Sequence, residues 1–178
     1  VYLSRLGFRV ALLDVDIGLN NLDVVMGLEK QVVFDITDVV SGKCRVRQAL
    51  VQDFNYPSLY LLPSSHSYAS SKITGEHIKN ITDIIDHSFD YILLDCPAGV
   101  EAGFHRAVYP ANEAIIVVTP HLSSLRDADK VLSILSSYHI ESKYLVINRM
   151  RGDLLLSGDM LNIESIVKAM NIPLIGVI

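Results

Sequence analysis

Cysteine is scarce in this chain: Cys44 and Cys96 are the only two among 178 residues. They lack the close paired spacing of a zinc knuckle or a redox motif, so no metal cage follows from them and they read as reduced thiols of a cytosolic protein. Positive charge is also in deficit, with 15 Lys and Arg against 20 Asp and Glu, a net charge of −5 and a pI near 5.6. Wrapping nucleic acid depends on clustered basic side chains that displace counterions, so this balance argues against a nucleic-acid partner. Long apolar runs are missing too. The longest, such as Ala114 to Val118, fall far short of the roughly 20 residues of a membrane-spanning helix. The opening Val1-Tyr2-Leu3-Ser4-Arg5-Leu6-Gly7 has no initiating Met, no basic leader and no small-residue cleavage site, which argues against a signal peptide. It reads as the last turns of a helix ended by a left-handed Gly7, so the chain is expected to begin inside a larger element. No repeat, low-complexity tract or linker interrupts it, and the length suits one packed domain over residues 1–178.

What is present is apolar and periodic. Half of the residues are apolar, and runs of strand length recur at Arg9 to Val15, Leu59 to Leu62, Tyr91 to Leu94, Ala114 to Thr119, Tyr144 to Ile147 and Leu174 to Ile178. Most are apolar on both faces, as central strands of a parallel sheet are when helices cover both sides. Helix-period segments lie between them: Ile36 to Val40 with Gly42 as a stop, Gly75 to His87, Gly103 to Tyr109, Ser124 to Tyr138, and Ile163 to Met170. The alternation predicts a doubly wound, mostly parallel α/β sheet with its chemistry at the carboxyl ends of the strands. Polar residues gather where that rule wants them, with Asp14 and Asp16 closing the first run, Asp95 the third, Pro120 and His121 the fourth, and Asn148 and Arg149 the fifth. The Ser-rich stretch Ser64 to Thr74 is expected to be a mobile loop.

Tyr91-Ile92-Leu93-Leu94-Asp95 is an apolar strand ending in a carboxylate, a pattern that places an acid beside the Mg²⁺ of a bound nucleotide. An Asp in that position also serves as a helix cap or turn residue. The continuation Cys96-Pro97-Ala98-Gly99 favours the first reading, because Pro97 stiffens the turn and Gly99 lets backbone pass close to a ligand. In Asp14-Val15-Asp16, alternation along an extended chain points both carboxylates the same way. Like charges that close call for a cation or a water network between them, and magnesium supplies one. Paired carboxylates capping the turn before Gly18 are the structural alternative.

The run from Asp14 to Glu29, Asp-Val-Asp-Ile-Gly-Leu-Asn-Asn-Leu-Asp-Val-Val-Met-Gly-Leu-Glu, resembles the MinD branch of the MinD/ParA deviant-Walker P-loop ATPase family. Asp95-Cys96-Pro97-Ala98-Gly99-Val100-Glu101, Ser123-Ser124-Leu125-Arg126-Asp127-Ala128-Asp129 and Val146-Ile147-Asn148-Arg149 are similar to it in the same order, over essentially the whole chain. The resemblance implies ATP and Mg²⁺ as cofactors. It assigns Asp16 the hydrolytic water, Asp14 and Asp95 the magnesium and γ-phosphate network through bound water, and Pro97 and Gly99 the turn beside the phosphates. Asn148 would read adenine and Arg149 lie against its ring. Asn21 and Glu101 would stand near a nucleotide-sandwiched homodimer interface. Ser124, Asp127 and Asp129 would open an acidic helix that faces a MinC-like division inhibitor and a MinE-like or polar anchoring regulator. The same residues also suit a helix start, with Ser124 and Asp127 as a capping-box-like pair and the acids meeting the positive end. Asn20, where relatives often carry Arg, departs from the commonest pattern.

Family members begin with a strand and a glycine-rich loop carrying two lysines, and end with a basic amphipathic helix; none of these is in the given residues. The expectation is therefore a fold lacking its phosphate-loop strand, with two unpaired sheet edges, and little ATPase activity in this stretch alone. The complete protein is expected to be a cytoplasmic ATPase, peripheral on the inner face of the cell membrane, meeting lipid only through that C-terminal helix. It would place the division septum by recruiting the inhibitor. A ParA-type DNA partition ATPase and a non-catalytic docking scaffold are the alternatives, the first opposed by charge and the second by intact Asp14, Asp16 and Asp95.

Overall fold

The computed structural model describes residues 1–18, 21–64 and 73–178. Helix α1 (Tyr2–Arg5) closes as Gly7 turns left-handed at φ 95°, with the Phe8 N–H reaching back to the Leu3 carbonyl. Strand β1 (Val10–Asp14) follows and is buried along both faces except at Leu12. After it come the short helices α2 (Leu22–Met26), α3 (Ile36–Val40) and α4 (Val46–Ala49), then β2 (Val51–Gln52) and β3 (Leu59–Leu62). Helix α5 (Gly75–Ile85) runs into a 3-10 turn at Asp86–Ser88, and β4 (Tyr91–Asp95) and α6 (Ala102–Val108) complete the first of two compact units, Val1–Pro110.

The sheet of this unit has the order β2-β3-β1-β4, and β1 lies parallel to both β3 and β4. Its core joins Ala11, Leu13 and Val15 to Ile36, Val46, Leu62 and the Ile78, Ile81 and Ile85 stripe of α5. That stripe has the three- and four-residue spacing of one helix face, and each fully buried isoleucine contributes about 1.5–3 kcal/mol. Helix α5 starts at a capping box in which the His77 N–H donates to Thr74 Oγ1 at 3.4 Å and the Thr74 N–H donates to His77 Nδ1 at 3.1 Å.

The second unit, Ala111–Ile178, carries β5 (Glu113–Val118), α7 (Leu122–Ser137), β6 (Ser142–Ile147), α8 (Gly152–Ser157), α9 (Ile163–Met170) and β7 (Leu174–Val177). Its strands are parallel in the order β5-β6-β7. Leu125, Ala128 and Leu135 of α7 and Ile166 and Met170 of α9 are buried, as are Leu145 and Ile147 of β6. Asn162 caps α9 by accepting the Ser165 N–H on its side-chain oxygen at 2.8 Å.

All six strands and all five interior helices read from the periodicity are present, with ends shifted by a residue or two. Helices α2, α4 and α8 and strand β2 were not anticipated, because segments of two to six residues carry too little period to read. Strand β2 also runs antiparallel to β3. Burial on both faces holds for β1 and β3 but not for β4 or β5. Each of these has a single strand neighbour and leaves one face open: Tyr91 and Leu93 are 41% exposed, and Ile115 and Val117 are 56% and 60% exposed. Among the described residues no helix is long and apolar enough to cross a membrane. Asn20 and residues 65–72 of the Ser-rich loop lie outside the described residues.

Candidate active site

Parallel pairing of β1 with β4 decides where the acids meet. The register places Asp14 opposite Asp95 at the carboxyl end of the sheet, and the Val15 N–H donates to the Asp95 carbonyl at 3.1 Å. Asp14 is only 1% exposed. Its Oδ1 accepts the Asp16 N–H at 3.1 Å and its Oδ2 accepts the Leu22 N–H at 3.2 Å. One carboxylate thus ties down both ends of the loop between β1 and α2. The nearness of Asp14 and Asp16 has a different origin from the strand alternation invoked above: β1 ends at Asp14, and a side-chain-to-backbone turn carries Asp16 back toward it.

Burial pushes the Asp14 carboxyl up from 3.8 to about 6 against the pull of its two backbone hydrogen bonds, and the Asp95 and Asp16 charges add to the rise. Asp95 is raised by desolvation and then by Asp16. Cys96 shows part of its surface to solvent, yet desolvation and then the Asp95 and Asp16 carboxylates push its thiol up to about 11. It is a neutral thiol at pH 7 and a poor nucleophile. All three are raised first by burial and then by neighbouring carboxylate charge, and a bound cation would relieve the latter. Among the described residues no three or more His, Cys, Asp or Glu side chains gather closely enough to cage a metal by themselves. The hard oxygen donors of Asp14 and Asp95, paired across β1 and β4, suit Mg²⁺, which keeps several waters and uses one or two carboxylates beside phosphate oxygens.

The turn after β4 is built as its residue types suggest. Gly99 stands at φ 86°, a left-handed conformation that other residues adopt only with strain. The Pro97 ring lies over α6, where a Cβ added to Gly103 would stand 2.6 Å from Pro97 Cγ and 3.4 Å from Arg106 Nη2. Glu101 precedes α6 as its N-cap and is exposed.

Comparison with known proteins bears on what such a site belongs to. Residues 1–146 match the family described as AAA domain. The septum site-determining protein MinD of Bacillus subtilis (strain 168) is 44% identical over 178 residues, covering 99% of this chain and 66% of that protein. The solved MinC:MinD cell division protein complex of Aquifex aeolicus superposes with a TM-score of 0.90 at 42% identity, over 99% of this chain and 71% of that one. The chain belongs to the MinD family. MinD of Pyrococcus horikoshii OT3, solved in complex with Mg-ADP, gives a TM-score of 0.87 at 27% identity, over 99% of this chain and 70% of that one. The MinD fold is a doubly wound, mostly parallel α/β sheet of the P-loop NTPase type, and the present chain holds part of it. It spans just under two thirds of the length of the curated MinD proteins it matches.

Against this MinD frame, Asp14, Asp16, Asp95, Pro97, Gly99 and Glu101 fall in one unit, around the β1 and β4 ends. Asn21 is in the same unit, exposed, as the N-cap of α2. Asn148, Arg149, Ser124, Asp127 and Asp129 belong to the second unit. There the Asn148 N–H donates to the Val118 carbonyl at 2.8 Å, and its side-chain oxygen accepts the Arg149 N–H at 2.8 Å. Arg149 takes the left-handed conformation at φ 63° and is exposed. The amide NH₂ of Asn148 is thereby turned to neither backbone bond.

The capping role expected of Ser124 and Asp127 is not what the structure contains. The chain stays extended through His121, so α7 begins at Leu122, and Ser124 Oγ accepts the Thr119 N–H at 3.0 Å from inside the first turn. No acid stands in that turn; Asp127 pairs instead with Lys130 at 3.3 Å on an exposed face. One residue near the acids escaped the sequence reading altogether. Arg106 of α6 is half-buried on a helix whose buried residues are Phe104, Ala107 and Val108, and an arginine next to an apolar helix face was the signal that could have shown it.

Proposed function

We propose that the complete protein is a cytoplasmic, ATP-dependent switch ATPase that pairs around bound nucleotide and helps place the division septum by recruiting a MinC-like inhibitor to the inner face of the membrane. The observation that carries the reading is the convergence of Asp14, Asp16 and Asp95 at paired strand ends, in a chain whose relatives include a MinD solved with Mg-ADP and another solved with MinC. In this reading residues 1–178 form most of one ATPase domain.

Magnesium, when bound with ATP, supplies positive charge to the phosphates. The chain's own part is positional. Asp95, at the end of β4, and Asp14, its register partner on β1, would hold the magnesium through its water ligands. Asp14 also fixes the loop that carries Asp16, so the Asp16 carboxylate can accept a hydrogen bond from an attacking water and orient it. Pro97 and Gly99 bring backbone against the phosphates. The Asn148 amide donates to the adenine edge, and the exposed Arg149 guanidinium lies along the ring. Asn21 and Glu101 face the second subunit across the nucleotide, and Ser124, Asp127 and Asp129 present α7 to MinC and to a MinE-like or polar anchoring regulator. No side chain of such a site forms a covalent intermediate: water attacks the γ-phosphorus and ADP leaves, with the protein positioning the water and stabilising charge, which suits a slow timer rather than a metabolic enzyme.

The test uses the full-length protein with Mg·ATP, measuring nucleotide uptake by equilibrium dialysis and pairing by light scattering after size exclusion. Uptake with dimerisation is expected. Asp16→Ala should lower hydrolysis at least 100-fold while leaving ATP uptake intact. Absence of both uptake and pairing in the wild type would end the proposal.

A further inference from the structure

Among the described residues Arg106 lies within electrostatic range of Asp16, and its bonding is incomplete. Arg106 sits on α6 one turn beyond Gly103, and its Nη2 approaches the spot beside Pro97 that a glycine leaves free. Its Nε is fully enclosed and finds no hydrogen-bond acceptor among the described residues. No ion pair reaches the guanidinium there either, although Asp16 lies within electrostatic range and favours its charge against the cost of burial. A buried guanidinium N–H without an acceptor is costly, and such groups in native proteins usually await a ligand, a water or an ion. Guanidinium is also the side chain best matched to phosphate oxygens.

We infer that Arg106 donates from the same subunit to the γ-phosphate of bound ATP, its Nε–H taking a phosphate oxygen as the missing acceptor beside Pro97. This rests on the nucleotide reading of the site and adds a residue that reading does not use. Placement makes the γ-phosphate the natural acceptor: the guanidinium stands by the turn after Asp95 and is in range of Asp16, the two groups assigned to the metal and to the attacking water. An oxygen there would satisfy Nε and meet a charge already set in place by packing.

The arginine Nε–H gives a separate nitrogen-proton NMR signal, so the contact can be read without turnover. In the full-length protein, Mg²⁺ alone, Mg·ADP and Mg·ATPγS are titrated in turn. The Arg106 Nε–H resonance should move downfield with Mg·ATPγS and stay in place with the other two. Arg106→Gln should weaken Mg·ATPγS at least tenfold and change Mg·ADP less than twofold, with Arg106→Lys recovering part of the loss. Unchanged ADP affinity in both variants also certifies that they fold. If Mg·ATPγS binds and shifts the Asp95 and Gly99 amides while the Arg106 signal and both variant affinities stay constant, the contact is refuted and the nucleotide reading stands. A shift already complete with Mg²⁺ alone refutes it as well, because no phosphate is then present to accept the bond. Should no nucleotide bind the wild type, both readings fall together.

Discussion

Replacing Asp14 by Asn separates the two jobs of this carboxylate, because the amide keeps its shape and one acceptor but cannot ionise. Asp14 titrates near 6 in the fold instead of 3.8, chiefly because burial disfavours its charged form. Between those values the folded chain holds a proton that the unfolded chain has released, so stability falls as pH rises. A shift of roughly two units corresponds to about 3 kcal/mol lost by the wild type once Asp14 is fully ionised. The variant avoids that loss but pays a different one. Its single oxygen serves either the Asp16 or the Leu22 N–H, leaving the other unbonded at about 1–3 kcal/mol, independent of pH. Denaturant unfolding of both proteins from about pH 3.5 to 7 distinguishes the two terms. Asp14→Asn should be less stable at the acid end and gain about 3 kcal/mol on the wild type by neutral pH. Groups such as Asp38 and Asp153, whose carboxyls are held low by Lys43 and Arg151, act equally in both proteins and cancel. A stability difference that stays flat across this range would refute the claim that Asp14 is ionised at a cost.

The same carboxylate should make cation uptake depend on acidity: Mg²⁺ competes with the Asp14 proton, so calorimetric affinity in the full-length protein should drop as pH is lowered through about 6, and equal affinity at pH 5 and 7.5 would remove Asp14 from the cation's surroundings. Gly103→Ala places a Cβ 2.6 Å from Pro97 Cγ, and thermal melts should show about 1–3 kcal/mol of destabilisation unless the turn relaxes freely. Gly99→Ala meets no neighbour but must hold φ 86°, so a smaller loss of about 1–2 kcal/mol is expected, and no loss would mean the turn does not need the left-handed conformation. Filter binding should show no salt-sensitive retention of DNA, in keeping with the acidic balance of charge.

The strands were legible because parallel sheets bury whole apolar runs, and the acids because they terminate those runs. Val10 to Leu13 could hardly be anything but a central strand, and Tyr91 to Leu94 announced a neighbour ending in Asp95. What the sequence could not supply was the register that sets Asp14 opposite Asp95, since adjacency of β1 and β4 is a property of the fold and not of either segment. The start of α7 was misplaced for a related reason. Ser124 and Asp127 form a convincing local capping pattern, but the chain has a tertiary use for Ser124, whose hydroxyl satisfies the Thr119 N–H, and the helix is free to begin at Leu122.

Asp14 shows why a motif can be found correctly and still be misread in its mechanics. Alternation predicted that Asp14 and Asp16 would share a direction, and they do act on one another electrostatically, but the strand has already ended between them. Their closeness is made by Asp14 accepting the Asp16 N–H, and the same carboxylate holds Leu22 at the start of α2. A residue assigned to the metal is therefore also the clamp on the loop that bears the water-orienting acid. Protonation at Asp14, or a cation arriving near it, acts on charge and on loop geometry through one side chain. Changes at this position should alter cation affinity and Asp16 placement together, whereas changes at Asp95, whose side chain holds no comparable backbone bonds among the described residues, should act on the cation and on the charge of Asp14 while leaving the loop in place.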